Sequence, residues 1–145
     1  MEQARKELNI AKHLLDITAT LVVDPKIYSS IFEHLYKSAS YCIKEFLEKE
    51  YREGNIKFLP ENEDLLLGFF IENYGERFDL PEDTLRKLKE MVELRAIQKE
   101  SIHAGNMEKV IMITKNYKLT TLNKEKLENF KSVVEDLIEK VGKEI

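Results

Sequence analysis

Arg95 and His103 are the residues of this chain best suited to chemistry on a phosphate. Both lie in the segment "RAIQKESIH" at the end of a predicted helix. A histidine can move the proton of a ribose 2′-hydroxyl, and an arginine can stabilise the charge that develops on the phosphate oxygens. The structural alternative is that Arg95 pairs with a carboxylate of the first two helices and that His103 caps a helix end. The sequence leaves both interpretations open.

A second set of residues has the chemistry of nucleic-acid or partner binding. Tyr117 stands between Lys115 and Lys118, and Lys99 follows Arg95 by one helical turn. Single-stranded bases stack on aromatic side chains that have cations beside them. We therefore predict that Lys99, Lys115, Tyr117 and Lys118 bind RNA or a partner. The alternative is a solvated basic surface that keeps the protein soluble.

Metal binding and thiol chemistry have weaker support in the sequence. His13 and His34 each lie about ten residues from the Asp24-Pro25 turn, so they stand at similar heights on two neighbouring helices. Two imidazoles and a carboxylate can bind a transition metal, but hydrogen-bonded or solvated histidines are the favoured interpretation. Cys42 lies on the inner face of its helix and is predicted to be a buried apolar residue. We predict no metal and no cofactor.

These residues are positioned by segments in which apolar side chains recur every three or four residues. This spacing predicts five helices, over residues 1–23, 25–52, 61–74, 81–103 and 123–143. Gly54-Asn55 ends the second helix, Asn62 and Asn123 are N-caps, and Gly75 is a C′ residue. In the fourth helix, Arg95 and Lys99 continue the apolar face.

Residues 109–121 lack this helical period. The run Val110-Ile111-Met112-Ile113 is rich in β-formers, a turn follows at 114–117, and residues 118–121 can form a second strand. We predict a small β-hairpin inserted before the last helix. Such a hairpin is marginal in water by itself, so it has to lie on the bundle or on a partner.

Composition limits the classes of function. The 145 residues form one domain, and the net charge of −4 with a pI near 5.5 disfavours broad binding along a phosphate backbone. Gly-rich phosphate loops and the sequence signatures of zinc and serine hydrolases are absent from the chain. We predict neither a signal peptide nor a membrane span, and the single cysteine fits a cytoplasmic location.

The segment "IFEHLYKSASYCIKEFL" resembles the second helix of the HEPN superfamily, and the layout of helices resembles its small archaeal and bacterial bundles. The resemblance implies a homodimer, and for some members a nucleotidyltransferase-type partner. It also implies a metal-independent ribonuclease site made by Arg and His with four to six residues between them. Here seven residues separate Arg95 from His103, which rotates them apart by about 80° on a helix.

The sequence thus predicts an all-α, up-down antiparallel bundle of about five helices with a small β-hairpin insertion, over residues 1–145. The leading functional hypothesis is a dimeric HEPN-like module that is non-catalytic or weakly RNA-directed. One alternative is a toxin-like, metal-independent endoribonuclease that uses Arg95 and His103. Another is a protein–protein interaction module that binds through the hairpin.

Overall fold

The chain folds into a bundle of helices. The computed structural model describes residues 1–18, 25–103 and 122–145, except for the side chains of residues 18, 25 and 100–103. Within these ranges the elements are α1 (Glu2–Thr18), α2 (Pro25–Arg52), a 3₁₀ turn (Glu63–Leu65), α3 (Leu66–Tyr74), α4 (Glu82–His103) and α5 (Lys124–Gly142). The predicted all-helical bundle is confirmed for the described part of the chain.

The end of α2 follows from its glycine. Gly54 has a φ of +79°, a left-handed conformation that residues with a Cβ rarely adopt. The amide of Gly54 donates to the carbonyl of Tyr51, and the amide of Asn55 donates to the carbonyl of Glu50. This pair of hydrogen bonds is the Schellman arrangement, which satisfies the last carbonyls of a helix. The predicted range for this helix, 25–52, is therefore confirmed.

The third predicted helix is partly correct. Asn62 is an N-cap whose side chain accepts from the Asp64 amide, but it caps a 3₁₀ turn that precedes α3. Gly75 was predicted as the C′ residue, which is wrong because it is the C-cap of α3 and has a helical φ of −56°. A Cβ added there would lie 2.7 Å from the Ile71 carbonyl oxygen, so close backbone approach requires this glycine. The chain instead reaches positive φ at Asp79.

The core is centred on α2, which packs against each of the other helices in the described chain. Its apolar side chains meet those of α1 and α5 on one side and those of α3 and α4 on the other. The largest side chains with almost no exposure are Phe32, Phe46, Phe70, Phe130, Leu15, Ile31, Leu35, Ile43, Leu47, Leu67, Leu88 and Met91. Because α2 is closely packed against these helices, its backbone gives a fixed position to the side chains on its surface.

The inner face of α4 turns polar, as predicted, but at a different residue. Leu88 and Met91 are fully buried, and Arg95 is mostly buried, whereas Lys99 is exposed. Gln98, one residue before Lys99, is buried, with 2% of its surface exposed. A buried amide needs hydrogen-bond partners, and Gln98 has two of them, described below.

The predicted β-hairpin at 109–121 lies outside the described residues, as does the end of the first predicted helix at 19–23. Helices in the described ranges are too short or too polar to span a bilayer.

Candidate functional site

A groove of about 380 Å³ lies where α2, the 3₁₀ turn and α4 meet. Cationic, anionic, hydroxyl and aromatic side chains share it. Its lining consists of Tyr36, Lys37, Ser40, Tyr41, Lys44, Glu61, Asn62, Glu63, Asp64, Leu66, Arg95 and Lys99. The structure thus brings together Arg95 and Lys99, two of the residues that the sequence predicted for a site.

Arg95 is the unusual cation of this groove. Its side chain is only 14% exposed, and its Nη1 donates to the side-chain oxygen of Gln98 at 2.7 Å. Gln98 in turn donates to the Ser29 hydroxyl at 2.8 Å. The carboxylate of Glu33 lies 3.9 Å away, which is beyond hydrogen-bond distance. A neutral amide therefore holds a buried positive charge, and the predicted carboxylate pairing on α2 is present only as a long contact.

Arg95 carries a buried donor that lacks a partner. Arg95 Nε has no hydrogen-bond partner among the described residues, whereas the buried Ser40 Oγ is next to the Tyr36 hydroxyl and lowers the pKa of Tyr36 through that contact. Buried polar atoms are nearly always paired, so an unpaired donor beside a cavity indicates room for a water or a ligand atom. Both atoms belong to residues that line the same groove.

The Tyr36 ring supports the Arg95 guanidinium, whose central carbon lies 5.4 Å from the ring centroid. Burial, with a smaller contribution from the nearby Asp64 carboxylate, raises the pKa of Tyr36 to about 12. The phenol therefore stays protonated at neutral pH. The neutral Tyr36 ring attracts the Arg95 cation but does not neutralise its charge.

The remaining cations of the groove are paired at its rim. Lys99 contacts Asp64, Lys44 contacts Glu63 at 2.8 Å, and Lys37 lies 3.5 Å from Glu33. Each of these side chains is about one third or more exposed. Exposed pairs contribute about 0 to 1 kcal/mol, so a ligand can displace them at little cost.

His103, the second residue of the predicted ribonuclease pair, is the last residue of α4. Its backbone is helical, and its side chain lies outside the described residues. Because α4 is continuous from Arg95 to His103, their Cα positions are about 12 Å apart along the axis and about 80° apart around it.

Lys115, Tyr117 and Lys118 also lie outside the described residues, so the predicted binding surface at the hairpin is not part of this site. Of the four residues predicted to bind RNA or a partner, Lys99 alone is within the described ranges.

The two N-terminal histidines are in different settings. His34 Nδ1 lies 2.5 Å from the carboxylate of Glu7, while His13 is exposed. Among the described residues, no group of three His, Cys, Asp or Glu side chains is arranged to hold a metal ion. Cys42 is fully buried, and burial raises the pKa of its thiol to about 12. A thiol in that state is a poor nucleophile, which agrees with its predicted place in the core.

Sequence reasoning missed Gln98 and Tyr41. Gln98 reads as one polar residue among many, and only packing shows that it is buried. Tyr41 is half-buried on α2, and it has no cation directly beside it in the sequence. At helical spacing, Lys37 and Lys44 lie four residues before and three residues after Tyr41, on one face of α2. That spacing could have identified it.

Comparison of the chain with protein-family models, with curated proteins and with solved structures gave no match.

Proposed function

We propose that this protein is a HEPN-like helical module that binds single-stranded RNA without cleaving it, through the groove that contains Arg95 and Lys99. The proposal rests on one observation. The Arg95 guanidinium is 14% exposed, contacts a neutral amide and a neutral ring, has the Glu33 carboxylate only at 3.9 Å, and keeps one buried donor unpaired among the described residues. An incoming phosphate supplies an anion within hydrogen-bond distance, which Glu33 does not.

The charge of the protein sets the kind of binding that the proposal predicts. The net charge is −4, and the groove combines four cations with Glu61, Glu63 and Asp64. Binding that depends on one or two phosphates releases few counter-ions, so we expect affinity to fall only slowly with salt. RNA binding of this type is local, in contrast to the wide basic surfaces of proteins that coat nucleic acid.

Fluorescence anisotropy with a labelled single-stranded oligoribonucleotide in EDTA tests the proposal. We expect wild-type protein to bind, Arg95→Ala to weaken binding by about tenfold or more, and the RNA to remain intact. Arg86→Ala is the matched control, because Arg86 is an exposed arginine of the same helix that pairs with Asp83. It should bind like the wild type.

Three results would overturn the proposal. The first is a wild type that does not bind, and the second is an Arg95→Ala variant that binds as well as wild type. The third is RNA cleavage in EDTA that disappears in both Arg95→Ala and His103→Ala, which would establish the endoribonuclease alternative. The position of both residues in one continuous helix, about 12 Å apart along its axis, supports binding over cleavage.

The proposal includes an up-down arrangement of the helices, a cytoplasmic location and a homodimer. An apolar patch at the start of α3 supports the dimer: Phe58 and Leu65 are 64% and 59% exposed and line one shallow depression with Lys57 and Glu61. A twofold axis through this patch can place Lys57 of each copy against Glu61 of the other. A nucleotidyltransferase-type partner would then bind at another surface of the protein.

Light scattering after gel filtration tests the dimer. We expect a dimer for wild type, a monomer for Leu65→Asp, and a dimer for the control Ile27→Asp, which changes an exposed residue away from the patch. A monomeric wild type would exclude the homodimer and leave the RNA proposal unaffected.

A further inference from the structure

The groove beside Arg95 has the size of a site for one small ligand group. Its volume of about 380 Å³ lies near the lower limit of ordinary ligand pockets, which start at about 300 Å³. Its wall on α2 extends from Tyr36 to Lys44, a length of about 12 Å along the helix axis. A single nucleotide of a strand is therefore a better match than a longer segment.

The two helices that line the groove differ in chemistry. Arg95, whose Nε is unpaired among the described residues, and Lys99 come from α4, and these cations suit a phosphate. Tyr41 comes from α2 and is a half-buried aromatic residue between Lys37 and Lys44 on the same face of that helix. A base can stack on such a ring because every base has a π-face.

Asp64 already forms an ion pair with one of the cations of the groove. Its carboxylate contacts the Lys99 ammonium from the 3₁₀ turn, and its charge also contributes to the raised pKa of Tyr36. A phosphate that approaches Arg95 meets Asp64 as a like charge and competes with it for Lys99. This carboxylate therefore opposes binding and sets how strongly the groove attracts an anion.

From these three observations we propose that the groove is a single-nucleotide subsite in which the phosphate binds Arg95, the base stacks on Tyr41, and Asp64 is displaced from Lys99. This inference deepens the proposed function and rests on it. It assigns to Tyr41 a role in recognition, and it makes Asp64 a competitor of the ligand.

The test measures the anisotropy of a labelled oligouridylate with three variants. We expect Tyr41→Ala to weaken binding about tenfold and Tyr41→Phe to restore it, since stacking needs the ring and not the hydroxyl. Asp64→Asn should tighten binding several-fold. Asp83→Asn is its matched control, because Asp83 also pairs with cations but lies at the far end of α4, away from the groove.

The outcomes separate this inference from the proposed function. If Arg95→Ala weakens binding while Tyr41→Ala and Asp64→Asn bind like wild type, the nucleotide subsite is wrong and RNA binding stands. If Asp64→Asn weakens binding, Asp64 contributes to the complex, and its role as a competitor is wrong. If uridine monophosphate competes as well as the oligomer, the groove binds a free nucleotide, and both the RNA proposal and this subsite for one nucleotide of a strand are wrong.

Discussion

Two arginines of this protein lie over aromatic rings, and they have opposite electrostatic surroundings. Arg77 is 44% exposed, yet its Nη1 and Nη2 each donate at 3.2 Å to a carboxylate, of Glu50 and of Glu144. Arg95 is far less exposed and has no carboxylate within hydrogen-bond distance among the described residues. The more buried cation is thus the less compensated one.

The surroundings of Arg77 are those of a structural contact. Glu50 is 4% exposed and accepts from the Tyr74 hydroxyl at 3.1 Å as well as from Arg77, which lies over the rings of Phe46 and Phe78. A buried carboxylate with two donors links α2 to α3 and to the turn after α3. The comparison teaches that short ion pairs connecting elements are structural, while a largely buried cation whose carboxylate lies beyond hydrogen-bond distance is a candidate for ligand binding.

Removal of the carboxylate near each arginine should give the largest contrast. Glu50→Gln keeps the side-chain volume but removes a buried charge that has two donors, so we expect the free energy of unfolding to fall by about 2 kcal/mol. Glu33→Gln, near Arg95, should cost less than about 0.5 kcal/mol, since that contact is long and half exposed. Urea denaturation of both variants measures the difference. Equal losses would remove the distinction between the two arginines.

Alkaline titration probes the neutral ring beneath Arg95. The pKa of Tyr36 is about 12 in the folded state, above the ordinary value of 10.0. A raised pKa means that the contribution of Tyr36 to stability is complete below pH 10 and is lost as pH rises towards 12. We expect wild type to lose up to about 2 kcal/mol more than Tyr36→Phe over this interval, measured by urea denaturation at each pH. Parallel pH profiles would show that the Tyr36 phenol is not a buried, neutral group.

A small effect on stability is also expected for replacement of Arg95 itself. Arg95→Met loses the contact with the Tyr36 ring and the hydrogen bond to Gln98, but it also removes an unpaired buried donor. We expect a net change in the free energy of unfolding within about 1 kcal/mol. A loss above about 3 kcal/mol in thermal or urea unfolding would mean that Arg95 holds the fold together and is not reserved for a ligand.

Much of the fold could be predicted because it depends on local rules. The Asp24-Pro25 turn and Gly54-Asn55 predicted the two ends of α2, and Asn123 was correctly identified as the N-cap of α5. Gly75 was misassigned because a close approach to the Ile71 carbonyl, which also excludes a side chain, leaves no trace in the sequence. A glycine in the sequence does not show whether it is required by a positive φ or by a close backbone contact.

The candidate site was predictable only in part. Arg95 stood out because it continues an apolar face, and Lys99 was found one turn later. The burial of Gln98, which accepts from Arg95 one helical turn away, was not predictable, since Gln98 and Ser29 meet only when α4 packs on α2. Tyr41 and Asp64 share the groove through the path of the 53–62 loop, which no periodicity determines.

The most direct test of the central claim is a nitrogen-15 NMR titration with a single-stranded oligoribonucleotide. It follows the Nε–H resonances of Arg95 and Arg77. The account predicts that the Arg95 signal shifts progressively, because its unpaired Nε gains a phosphate oxygen, while the Arg77 signal stays in place. An Arg95 signal that does not move at saturating RNA, or a shift confined to Arg77, would contradict it.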